Sequence, residues 1–196
     1  VAATTAIATQ YTHPARRWSR PPFTLTAGTN NVRALSGSPT GGVELVSDGN
    51  LALGTLGMGA NTLDLTITNG AVTQTGALTA GSLRLNGSAS YTLTDVGNDI
   101  DTLSSRATGN INVSETDGFA VGLVVDEGIE SSGADVTLSS TGGITFTERL
   151  LAGAGDVSLT SGGATTQSGQ ITADVLTLAG AGPFTLTSSS NNVATL

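Results

Sequence analysis

Fifteen of the 196 residues are acidic, and the spacing of several suits them to chemistry. Asp99 and Asp101 are two residues apart, as are Glu115 and Asp117, a separation that on a strand puts both carboxylates on one solvent face about 6 to 7 Å from each other. Paired carboxylates at that range are the apparatus of glycosidic-bond hydrolysis. Asp126, Glu127, Glu130 and Asp135 follow within 20 residues, so Glu115, Asp117, Asp126, Glu127, Glu130 and Asp135 together make the candidate interaction strip and loop. The rest of a catalytic apparatus is thin. The chain has no lysine and no cysteine, which removes thiol catalysis, cysteine-based zinc sites and disulfides. The single histidine, His13, stands in an irregular N-terminal stretch. Residues 97–103, GNDIDTL, resemble a calcium-roll nonapeptide, but the phrase has no tandem partner at nine-residue spacing, and its equivalents TNNVRAL and SNNVATL lack the aspartates. Exposed acids on a chain of net charge −8 ordinarily solubilise it, so the expectation is a protein that is not an enzyme and holds no cofactor or metal.

Charge also bounds the partners. Seven arginines against fifteen acids, with a pI near 4.3, cannot neutralise phosphates, so nucleic acid is excluded. No apolar run approaches the 18 or more residues of a membrane span. The first ten residues, VAATTAIATQ, have neither the basic start nor the apolar core of an export signal. The expectation is therefore an internal or mature piece, flanked by further coils of a longer chain.

The elements that must position these acids are written in repeats. Residues 70–103 align without gaps on residues 163–196, an offset of 93, with roughly half the positions identical. A third partial copy opens at residue 22, so that an aromatic-Thr-Leu-Thr phrase followed by Asn occurs three times. Within these lies a shorter period. Leu25, Leu45, Leu65 and Leu85 are 20 apart, with Phe23, Val43, Leu63 and Leu83 two residues before them. A second column runs through Leu51/Leu53, Ala71/Thr73, Tyr91/Leu93 and Ile111/Val113, then Ile144/Phe146, Ala164/Thr166 and Phe184/Leu186. A third runs through Leu35, Leu56, Leu78, Ile100 and Val121, then Leu150, Ile171 and Val193. Apolar residues at i and i+2 with hydroxyl or charged residues between them are half-buried strands, and each run ends in Gly, Asn, Asp or Ser, the turn formers.

Three short strands per coil of about 20 residues predict an all-β fold, a parallel β-helix of eight or nine coils over residues 23–196 and about 40 Å long. Asn30 or Asn31, Asn98, and Asn191 or Asn192 recur where a turn needs capping. The first column breaks once. Val136/Leu138 follows Leu123 by 13 residues, which predicts an irregular acidic insertion near 126–135. Residues 1–22 carry three of the seven arginines, the only tryptophan and three of the five prolines, and read as an irregular arm. Thr-X-Thr pairs at Thr24, Thr66, Thr92, Thr145 and Thr185 would suit an ice-binding surface if stacked, but their unequal intervals scatter them over different sides.

GADVTL and AGDVSL, followed by the long phrase of residues 162–196, resemble the repeats of filamentous haemagglutinin-type bacterial adhesins, exoproteins often exported by two-partner secretion. That resemblance implies a surface-exposed or secreted bacterial stalk for adhesion, aggregation or biofilm formation. Its partners would be glycans or proteins of a host or neighbouring cell, outside the bacterial outer membrane. A glycan-binding or glycan-cleaving β-helix using the strip from Glu115 to Asp135 is the alternative, and an ice-binding type surface the second.

Overall fold

Val43–Ser47 shows the rule by which the chain folds: Val43, Leu45 and Ser47 are buried while Glu44 and Val46 point outward. The same alternation recurs in Ile111–Glu115, Val136–Ser140 and Val157–Ser161. One such strand hides only two or three side chains, too few to stand alone, so each must stack on a neighbour. A computed structural model describes residues 4–8, 22–126 and 128–196 and shows that stacking directly: an all-parallel β-solenoid of about nine turns, about 20 residues per turn, with no helix. Its core is one continuous cluster from Val32 to Leu176.

Each turn visits three faces in order. The first face stacks Phe23, Val43, Leu63, Leu83 and Leu103. The second stacks Leu51, Val72, Tyr91, Ile111, Val136, Val157 and Leu176 without a register shift. The third holds Leu56 on Leu78, and later Val121 on Phe146.

This arrangement corrects the columns at several points. Val72 and Thr165, not Ala71/Thr73 and Ala164/Thr166, face the core, so the alternation there is displaced by one residue. Leu35 stacks on Leu53, and Ile100 on Ala80. Above Leu103 all three columns change face. Val136, Val157 and Leu176 continue the second face, not the first, and Ile129, Leu150 and Ile171 continue the first, through Ser105.

The cause is the insertion, which lies earlier than residues 126–135. Gly122 is the last residue in step, its N–H donating to Leu103 O at 3.0 Å, and Gly128 N returns to Gly122 O at 3.1 Å. The excursion between them exposes Leu123 and Val125. Ile129–Glu130 is already back in the ladder, and the next turn, closed by Ala134 N to Ser131 O, matches Gly155 N to Ala152 O one coil on.

Stacked backbones leave no room for side chains at some corners. A Cβ on Gly128 would lie 2.0 Å from Arg149 O, and Gly128 also adopts φ +69°, so only glycine closes the excursion. In the N-terminal arm Thr4–Ala8 is a strand parallel to Val32–Gly37, so the arm is not irregular throughout. His13, Trp18 and the arm's arginines lie outside the described residues.

Candidate functional site

The candidate acids do not form one strip. Glu115 follows Ile111 and Val113 in the inward alternation and is buried, 4% exposed, rather than on the solvent face. Its carboxylate accepts Asp117 N at 3.0 Å, Gly118 N at 2.6 Å and Ser140 Oγ at 3.0 Å. Glu115 therefore caps the corner between the second and third faces. Asp117 sits just past that corner, exposed, and Asp99 of the coil below brings a third carboxylate, with oxygens of all three within 4.8 Å of one another. Asp99 and Asp101 flank the buried Ile100 on one exposed side, as their spacing predicts. Beside them lies an open groove of about 520 Å³, lined by Asp101, Asp117, Phe119, Ala120 and Thr145 among others. It marks the place where Val121 stacks on Leu103 rather than over Ile100. Acceptors in a shallow groove can receive hydroxyl hydrogens of a sugar. The inward Glu115, however, is occupied by two backbone N–H groups and the Ser140 hydroxyl and does not line the groove.

Asp126, Glu130 and Asp135 belong to other networks. Asp126 accepts Arg84 Nε at 2.7 Å, while Arg84 Nη1 reaches Asp64 at 2.9 Å, so the excursion is strapped down over the first face. Burial lowers the Arg84 pKa, but the hydrogen bonds to Asp126 and Asp64 outweigh it and hold the guanidinium above its ordinary value. Glu130 stands between Arg106 at 3.7 Å and Arg149 at 3.8 Å. Asp135 accepts Asp156 N at 3.0 Å and donates its own N–H to Asn110 Oδ1 at 3.2 Å, a ladder running up one corner. Glu127 lies outside the described residues.

The asparagines are structural, as their recurrence predicts, and the partners resolve which of each pair acts. Asn30, Asn98 and Asn191 each donate Nδ2 to the carbonyl five residues earlier, of Leu25, Leu93 and Leu186. Asn98 also donates to Ser114 O at 3.0 Å and accepts Leu78 N at 2.9 Å. Gln74 braces Asn98, and Gln167 braces Asn191 in the same way. The glutamines escaped the sequence reading, although the 93-residue repeat places both at one position. Burial pushes the Tyr91 phenol far up, and its hydroxyl donates to Asn86 O at 2.6 Å inside the core. The threonine pairs scatter as their intervals predict, with Thr24 and Thr66 on the first face, Thr92 on the second, and Thr145 and Thr185 on the third, where the exposed Thr166 stands between them.

A family model described as repeats of unknown function (DUF5649) matches residues 40–107 and 133–196, together about two thirds of the chain. The chain belongs to this family. No curated protein and no solved structure matches it. The two DUF5649 segments share one core yet begin on different faces. Val43, Leu63 and Leu83 of the first are on the first face, and Val136, Val157 and Leu176 of the second are on the second. Four turns from Leu85 run through Ser105, Ile129 and Leu150 to Ile171, seven residues short of the repeat-equivalent Leu178. One DUF5649 segment is thus rotated by one face relative to the other.

Proposed function

We propose that this chain is a structural stalk segment of a secreted or cell-surface bacterial adhesin, working in attachment or aggregation without catalysis. One observation carries the reading: four of the six candidate acids are engaged in holding the stack together. Glu115 caps a corner, Asp126 straps the excursion, Glu130 bridges two arginines and Asp135 steps a corner ladder. The resemblance to filamentous haemagglutinin-type repeats supplies the adhesin context, and a rigid rod that adds coils without a new core suits a spacer between a cell and its target.

The experiment is attachment of cells displaying the repeat, alongside reducing-sugar release from a polysaccharide panel. The Asp101→Asn/Asp117→Asn variant should attach as the parent does, and neither protein should release sugar. The open groove with Asp101 and Asp117 favours a second reading, a glycan-binding β-helix. Polysaccharide binding or cleavage lost in that variant would establish it and displace the stalk.

A further inference from the structure

From Leu51 to Leu176 the second face differs from the first in charge and from the third in register. Its seven strands stack without a shift from Leu51 to Leu176, through the same coils in which the third-face strand slides onto Leu103. Its outward row reads Thr92, Asn112, Thr137, Ser158 and Thr177, with Ser114, Ser139, Thr160 and Ala179 beside it. All are short and uncharged. The first face carries the ion pairs of Arg84, Arg106 and Arg149. The acids near the second face stand at its edges, Asp95 and Asp117 on one side, Asp48, Asp135, Asp156 and Asp174 on the other.

We infer that the second face is the surface on which two copies of this chain pack side by side. Three arguments select a second copy as the occupant. Strands about 4.8 Å apart form an array that a second, identical array can meet row for row, whereas a globular partner has no such period. The face spans roughly 29 by 16 Å between its outer strands, so two copies would bury on the order of 1,000 Å², the size at which a specific interface begins. Short side chains held by stacking lose little freedom on docking. On a molecule of net charge −8, a contact centred on an uncharged face also meets the least repulsion, and added salt should strengthen it by screening the acidic edges.

Sedimentation velocity over a concentration series tests this. The parent should show a reversible monomer–dimer equilibrium that tightens with salt. Thr92→Glu/Thr137→Glu/Ser158→Glu should weaken it at least tenfold, while Thr145→Glu/Thr166→Glu/Thr185→Glu, the same added charge on the third face, should leave it unchanged. A parent that stays monomeric throughout, or equal losses in both variants, would overturn the proposal. Thermal hysteresis in the parent, abolished by the second-face variant alone, would give the face to ice instead and overturn it as well. Should the second-face glutamates prevent folding, Asn112→Cys serves in their place. The chain has no cysteine, and Asn112 lies on the middle strand of the seven, so oxidation should yield a covalent dimer. Thr166→Cys should not, and equal cross-linking of both would contradict the inference.

Discussion

Backbone groups of several coils converge on the side chain of Asn98. It is fully buried and serves Leu93 O, Ser114 O and Leu78 N, groups of different coils. Each orphaned buried group costs about 1–3 kcal/mol, so Asn98→Ala should lower unfolding stability by roughly 3 kcal/mol in denaturant titration. Gln74→Ala, which removes the brace and the bond accepted from Asp95 N, should cost about 1 kcal/mol. A gain is expected at Ser132. Its φ of 55° is left-handed, and the equivalent residue one coil on, Gly153, has φ 65°. Ser132→Gly should relieve that backbone and add about 1 kcal/mol, read as a higher denaturation midpoint. The asparagine caps were legible because the phrase carrying them is written three times. The fate of Glu115 was not: a charged residue at i+4 of an inward run reads as the exposed end of a strand unless the corner that receives it is known.

Among the elements, the excursion between Gly122 and Gly128 separates local from global order. The second-face step from Ile111 to Val136 takes 25 residues where neighbouring steps take about 20, and the surplus is the excursion. Its ends already meet through Gly128 N and Gly122 O, and among its described residues the strong tie is Asp126 to Arg84 across the first face. Deleting residues 123–127 should therefore restore an ordinary turn and change stability by no more than about 1 kcal/mol, measured by denaturant unfolding with native hydrogen exchange at Ser105 and Ile129. A loss of several kcal/mol would make the excursion part of the core. The break in period was readable in the sequence, but its position was not. Leu123 continues the apolar column by type, yet it is 61% exposed, so spacing pointed to a break several residues too late. The aromatic-Thr-Leu-Thr phrase shows the same limit from the other side. With its capping asparagine it turns the chain off the first face at Asn30, off the second at Asn98 and off the third at Asn191. A corner is local and can be read from the phrase; the face is fixed by how many residues came before.

The two DUF5649 segments form one rod with a single core, the second turned by one face on the first, and are not two like domains in tandem. Coil length, strand spacing and aliphatic content reveal the solenoid from the sequence alone, because each is a short-range property repeated many times. The rotation is invisible there. Aligning the segments by likeness puts Val136 on the face of Leu103, while the stack puts it on Ile111. The difference matters for function, since one uninterrupted second face exists only if the stack decides. A chain without cysteine permits a clean test by paired cysteines. Ser114 and Ser139 are direct neighbours on the second face. Oxidation of Ser114→Cys/Ser139→Cys should close an intramolecular disulfide, seen as a shift on non-reducing gels, while Ser104→Cys/Thr137→Cys, which the alignment by likeness would bring together, should stay reduced. A disulfide in the second variant and none in the first would contradict the account.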